Sequence, residues 1–233
     1  MSDRPAPAPP GARPSRAGAL ADLAFAVTDA RPQPFAAVPT VLFRLALTRT
    51  SGGPVRSVSL TTAVRIAVAG RRYDPRAQLA MAELFGTPER WATTLHPLAW
   101  TQATTVVPAF DETTTVDLPV PVTTDVELAV TKYFHAVREG DVPLDFLFSG
   151  TVFHTGPDGR LRTTQISWAK DTTYRLPARV WHDLIDRYHA GGTWLRLSGD
   201  VHDRLSAYRT RHALGDWNET IRDLLDEAQG ATA

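Results

Sequence analysis

The residues able to carry chemistry are few and poorly spaced for it. Cysteine is absent, which removes disulfides, thiolate nucleophiles, iron–sulfur ligation and Cys-type zinc sites. Of the seven histidines, His182 and His189 share one face of a predicted helix. Seven residues at about 1.5 Å rise separate them by roughly 10 Å, too far to hold one ion together. A long-range cluster with His202 or His154 stays open, and the plainer reading puts the histidines at the surface or at helix ends. Asp125 and Glu127 stand two apart on one face of a predicted strand. Such a pair could serve glycosidic acid–base catalysis or hold a hard cation; the plainer reading is a wet face opposite Val126 and Leu128. Ser149-Gly150 lacks the earlier glycine of a nucleophile elbow and has no identifiable base. Gly52-Gly53 and Gly191-Gly192 lack the further glycines of a Walker or dinucleotide loop. The chain reads as a non-enzyme with no catalytic residues, no cofactor and no metal site.

The six tryptophans are the other chemically distinctive group. Trp181 belongs to a helical apolar stripe. Trp91, Trp100, Trp168, Trp194 and Trp217 fall at the ends of predicted elements, where an amphipathic ring commonly seals a core margin. Four of them, Trp91, Trp100, Trp168 and Trp194, form the candidate partner-binding surface. Trp100, Trp168 and Trp194, if exposed and coplanar in one groove, would instead offer a platform for sugar rings.

Composition narrows the setting. Twenty-five basic residues balance 25 acidic ones, which argues against a nucleic-acid binder. An apolar fraction of 43% suits a globular core. Residues 1–18, with Pro5, Pro7, Pro9, Pro10 and Pro14, cannot bury enough surface to offset ordering and read as a disordered tail. No apolar run reaches the 18 residues of a membrane span, and no signal-peptide pattern follows the early arginines. A cytoplasmic location is expected.

The elements that must position these residues are mostly strands. Val41, Phe43, Leu45 and Leu47 alternate with smaller or polar residues. After Ser51-Gly52-Gly53-Pro54, Val58, Leu60, Thr62, Val64, Ile66 and Val68 mark one face of a longer strand. The two are read as a β-hairpin with one wet face. A helical insertion near 75–95 runs from Asp74-Pro75 to Gly86, with Leu84, Phe85, Trp91 and Leu95 plugging the sheet. Strand character resumes near Trp100. Val116, Leu118, Val120 and Val122 follow, demoted to an edge or a strand-to-strand bend by Pro119 and Pro121, and Val126, Leu128 and Val130 extend the alternation. Residues 142–153 read as the central strand, Gly156-Pro157-Asp158-Gly159 as a turn, and 161–168 and 172–176 as returning strands. Beyond Pro177 the period becomes helical, with Trp181 and Leu184 on one stripe. Ser198 is placed to cap a second helix, and Asp216 with Glu219 to open a third carrying Ile221, Leu224 and Leu225 inward. The fold class is α+β: a mainly antiparallel β-sandwich-like domain over 19–176, then C-terminal helices over 177–233 packed on it.

Several strings carry a resemblance. They are Val38-Pro39-Thr40-Val41-Leu42-Phe43-Arg44-Leu45, Tyr73-Asp74-Pro75, Glu83-Leu84-Phe85-Gly86, Pro88-Glu89-Arg90-Trp91, Leu118-Pro119-Val120-Pro121, Thr131-Lys132-Tyr133-Phe134, Phe148-Ser149-Gly150-Thr151-Val152-Phe153 and Trp194-Leu195-Arg196-Leu197. Together, over roughly residues 23–225, they resemble an uncharacterised actinobacterial family often encoded beside uptake [NiFe]-hydrogenase genes. That resemblance implies an accessory or assembly role, chaperone-like or docking, toward a hydrogenase subunit or a similar multi-subunit redox enzyme. Relatives often place a Cys after Leu-Pro-Val-Pro; Val122 stands there in this chain, which speaks against thiol-based metal handling. A small-ligand or carbohydrate-binding β-sandwich is the alternative.

Overall fold

The computed structural model describes residues 20–122, 124–188 and 197–230, with side chains given outside 124–128. The described residues hold eight strands: β1 Asp22–Pro32, β2 Thr40–Ser51, β3 Val55–Ile66, β4 Leu98–Val107, β5 Thr113–Pro121, β6 Asp141–Thr155, β7 Leu161–Gln165 and β8 Asp171–Pro177. Three short helices, α1 Pro75–Ala80, α2 Ala82–Phe85 and α3 Trp91–Thr94, fill the β3–β4 connection, and α4 Thr124–Ala136 precedes β6. Helices α5 Ala178–Tyr188, α6 Gly199–Arg211 and α7 Trp217–Gly230 end the chain. Two compact units divide between residues 190 and 191, so α5 belongs with the strands, while α6 and α7 form the second unit. Among the described residues no helix is long and apolar enough to cross a membrane.

The strands form two antiparallel sheets. One runs β1-β2-β5; the other runs β4-β3-β6-β7, with β8 also on β6. Their inner faces are the alternating apolar sets read from the sequence. Val41, Phe43, Leu45 and Leu47 of β2 are fully buried, as are Val58, Leu60, Thr62, Val64 and Ile66 of β3. The sheets meet through rings: Phe43 lies edge-on to Phe146 at 5.1 Å, and Phe25 stacks on Phe148 at 4.2 Å. Side chains of both inner faces interleave in one core, as in two sheets packed face to face. The expected central strand is β6, which pairs β3 along one edge and β7 and β8 in succession along the other.

Two expectations are corrected. Ser51–Pro54 does not close a hairpin, because β2 pairs β1 and β5 while β3 pairs β4 and β6. The turn is an arch that carries the chain from one sheet to the other. A Cβ at Gly52 would lie 2.6 Å from Ala21 Cα, and one at Gly53 would lie 2.0 Å from the Thr155 carbonyl oxygen. Only glycine lets the backbone pass this close to both layers. The second correction is 124–136, a helix rather than a strand. Its buried residues Val130, Tyr133, Phe134 and Val137 follow the i, i+3, i+4, i+7 spacing of a helix face.

That helix closes one end of the sandwich. Phe134 stacks on Trp181 of α5 at 4.9 Å and 4°, and meets Trp100 at 5.6 Å. His182 Nε2 lies 3.1 Å from the Val137 carbonyl oxygen. Tyr73 and Tyr133 share a 2.9 Å hydroxyl contact, and Tyr73 donates to the Val68 carbonyl at 2.6 Å. Burial pushes both phenols above their ordinary range, so they serve as neutral hydrogen-bonding groups. The β3–β4 insertion starts as its sequence predicts: Asp74 caps α1 by accepting from Ala77 N at 2.8 Å, with Pro75 in the first turn. Phe85 is buried, with Leu84, Trp91 and Leu95 packed partly against the core.

Candidate functional site

Among the described residues each sheet ends in two edges, and the four are protected unequally. Edge strands invite pairing with foreign chains, and proteins usually blunt them with charge or proline. β1 carries Asp22, Asp29, Arg31 and Pro32; β5 carries Asp117, Pro119 and Pro121. On the far side of β6, β7 carries Arg162, and β8 carries Asp171, Arg175 and Pro177. Strand β4 reads Leu-Ala-Trp-Thr-Gln-Ala-Thr-Thr-Val-Val, ten residues with neither charge nor proline. It ends its sheet, with β3 along one side and no strand along the other among the described residues.

Local features fix how β4 presents itself. Val64 pairs Thr101 and Arg65 pairs Ala99, leaving Trp100 as one extra residue in a β-bulge. The bulge turns Trp100 into the core, 1% exposed and edge-on to Phe43 at 6.2 Å. Beyond it Thr101, Ala103 and Thr105 lean inward, while Gln102, Thr104 and Val106 stand out, Val106 at 71% exposure.

Between β4 and the neighbouring edge β5 lies an open cavity of about 590 Å³. Thr101 to Thr104 form one wall, and Pro119 and Pro121 form the other. The β1–β2 loop closes its end with Gln33, Phe35, Ala36 and Ala37, and among the described residues no lining side chain is charged. Phe35 is fully exposed and sits at φ +57°, a left-handed conformation costing a non-glycine residue about 1–3 kcal/mol. The loop is braced to hold it. Gln33 N donates to Thr40 O at 2.8 Å, Thr40 Oγ1 donates to Val38 O at 2.9 Å, and Val122 N donates to Pro39 O at 2.8 Å. The Tyr188 hydroxyl of α5 donates to Ala36 O. A strained ring held in solvent contributes nothing to the core beneath it. Together with the open edge it offers backbone hydrogen bonds for an extended segment and an aromatic surface beside them.

The residues singled out from sequence are scattered. Trp100, proposed as surface, is corrected to core, because the bulge turns it inward. Trp91 is half-buried, with Nε1 donating to Gly86 O at 3.1 Å and its ring edge-on to Tyr73. Trp168, in the β7–β8 turn, is 90% exposed; Trp194 lies outside the described residues, as do His189, the Gly191-Gly192 turn and the expected tail. A sugar platform that includes Trp100 is therefore not formed. The helical backbone of α4 removes the two-residue period on which pairing Asp125 with Glu127 rested, and their side chains lie outside the described set. His154 is buried, with Nε2 3.0 Å from Thr164 Oγ1, and His202 lies 3.5 Å from Asp203. Burial, with Arg138 and His182 nearby, holds the His135 imidazole below its usual value. Among the described residues one group of potential metal ligands converges, His212 with Asp223 and Glu227. The sequence reading missed both this group and Phe35. The unguarded composition of β4 was the available signal for the edge.

A family model described as a family of unknown function, DUF6084, matches residues 20–233. No curated protein matches the chain. Among solved structures, the putative ApaA protein from Bordetella pertussis is 13% identical, with a TM-score of 0.26, over 67% of this chain and 95% of that one. β-Glucosidase 3B from Thermotoga neapolitana is 13% identical, with a TM-score of 0.24, over 66% of this chain and 17% of that one.

Proposed function

We propose that this chain, which belongs to the DUF6084 family of unknown function, is a cytoplasmic, non-enzymatic docking protein that binds an extended segment of a partner along β4. The observation that carries this reading is the ten-residue edge without charge or proline, set beside a groove whose described lining is uncharged and the braced, solvent-facing Phe35. A strand added to β4 would satisfy its outer backbone groups and place alternate side chains over the groove, where Phe35, Pro119 and Pro121 supply apolar contact. The uncharged side chains of the described lining favour a segment that is itself neutral in that stretch. We assign the partner as a subunit of a [NiFe]-hydrogenase or of a similar multi-subunit redox enzyme, on the strength of the sequence resemblance.

The test is recovery of the tagged protein from its native host under conditions that express the hydrogenase. A hydrogenase subunit should co-purify with the wild type and fall by at least about tenfold with the double variant Gln102→Lys/Thr104→Lys, which guards the edge as other proteins do. Both positions are exposed, so each change alters stability by no more than about 0.5 kcal/mol. Recovery of the wild type with no hydrogenase subunit removes the partner assignment. Equal recovery by the double variant removes the edge.

A further inference from the structure

The second unit is a helical hairpin whose turn is tightly specified. His212 caps the C-terminal end of α6, and Ala213 at φ +50° redirects the chain. Asp216 Oδ1 accepts from Glu219 N at 2.8 Å to start α7, while Glu219 reaches back to Gly215 N at 2.6 Å. With the turn fixed, Tyr208 of α6 and His212, four residues on at its C-cap, meet Asp223 and Glu227 at i, i+4 on α7. The His212 ring stacks on Tyr208 at 4.1 Å and 14°, and its Nδ1 lies 3.8 Å from Asp223 Oδ2. The Tyr208 hydroxyl donates to that same oxygen at 2.8 Å. One ligand atom from each of His212, Asp223 and Glu227 lies within 4.8 Å of the other two.

We propose that His212, Asp223 and Glu227 bind a divalent transition-metal ion, with zinc as the best match and a fourth position open to water. Tetrahedral zinc with bonds of about 2.0–2.2 Å sets its ligands about 3.5 Å apart. The observed spacing therefore closes by side-chain adjustment of about 1 Å. The donor set selects the metal class, because magnesium and calcium favour all-oxygen shells while one imidazole with two carboxylates suits zinc. The surroundings orient the ligands. Ring stacking holds the imidazole, and the phenol holds Asp223, the kind of outer contact that tunes metal sites. Arg209, which could compete for the carboxylates, lies instead over the Trp217 ring at 4.2 Å.

The site does not depend on the β4 edge, so the two proposals fail separately. The experiment is zinc titration of the chelator-stripped full chain against a chromophoric competitor. One equivalent should bind, and Asp223→Asn, Glu227→Gln and His212→Gln should each weaken it by at least about tenfold. A second measurement needs no variant: zinc should protect His212 from carbethoxylation, read by peptide mass spectrometry, while the exposed His202 still reacts. No zinc uptake by the wild type, unchanged affinity in the three variants, or unprotected His212 each overturns the site. Equal competition by magnesium overturns its metal class.

Discussion

Replacing Gly150 with alanine should be among the most costly single-methyl additions the sandwich can receive. Gly150 sits inside β6 at φ +136°, opposite Leu60 of β3, and its carbonyl accepts from Ile166 N at 2.9 Å. A Cβ there would lie 2.0 Å from the Ser59 carbonyl oxygen and 3.3 Å from Leu60 Cα. Both neighbours are backbone of the strand beside it, so no side chain can swing away. The strands must part by more than an ångström, or β6 must leave its conformation. Backbone strain of about 2 kcal/mol and two weakened ladder bonds at about 1 kcal/mol each give about 4 kcal/mol. That is a large share of the roughly 5–15 kcal/mol by which domains are stable. In urea unfolding followed by tryptophan fluorescence, an m-value near 2 kcal/mol/M turns this into a midpoint lowered by about 2 M, with m unchanged. Gly159→Ala is the control: it has positive φ (+74°) but nothing within 4 Å, so its cost is about 1–2 kcal/mol from strain alone. Equal costs for the two variants would refute the β3–β6 register.

The two tryptophans that the structure separates should behave oppositely. Trp100→Ala removes a core ring and should cost about 3–5 kcal/mol, whereas Trp168→Ala should stay within about 0.5 kcal/mol, both read by the same urea midpoints; similar values would contradict the bulge that turns Trp100 inward. Asp22 ties β1 to the β7–β8 turn through Lys170 Nζ at 2.8 Å, and this contact with Lys170 holds its carboxyl below the ordinary 3.8. A depressed folded value adds stability above pH 3.8 that is lost as pH falls through the lower folded value. Asp22→Asn should therefore trail the wild type in midpoint at pH 7, and the gap should narrow progressively as pH falls below 3.8; a gap that does not narrow on acidification would contradict the pairing.

Much of the sandwich was legible because its inner faces obey a period of two without interruption. The alternations in β2 and β3 identify the buried residues directly, and of the edge or bend that Pro119 and Pro121 allow, β5 takes the edge. Pairing was not legible. Alternation says which face is buried and nothing about which strand lies alongside, so the glycine arch passed for a hairpin. In α4 two periods overlap: Val126, Leu128 and Val130 alternate, while Val130, Tyr133, Phe134 and Val137 repeat as a helix, and core packing selects the latter. Leu225, expected inward on α7, is 56% exposed, and Thr220 is buried instead. The candidate site was half-visible. The uncharged run from Leu98 to Val107 is plain in the sequence, but its meaning depends on β4 ending a sheet. The His212, Asp223 and Glu227 group depends likewise on two helices folding back on each other.

The arch between β2 and β3 also sets the order in which a growing chain can become soluble. Once Ile66 has left the ribosome, β4 is the first strand that can cover one side of β3, and the other side waits for β6. About 75 residues separate Ile66 from Asp141, roughly 4–15 s of synthesis at 5–20 residues per second. Through that interval β3, whose inner face is fully buried in the finished fold, has half its backbone unclaimed. Nascent chains of this protein therefore carry their greatest risk of mispairing midway through translation, well before the finished molecule exists to be stabilised by any partner.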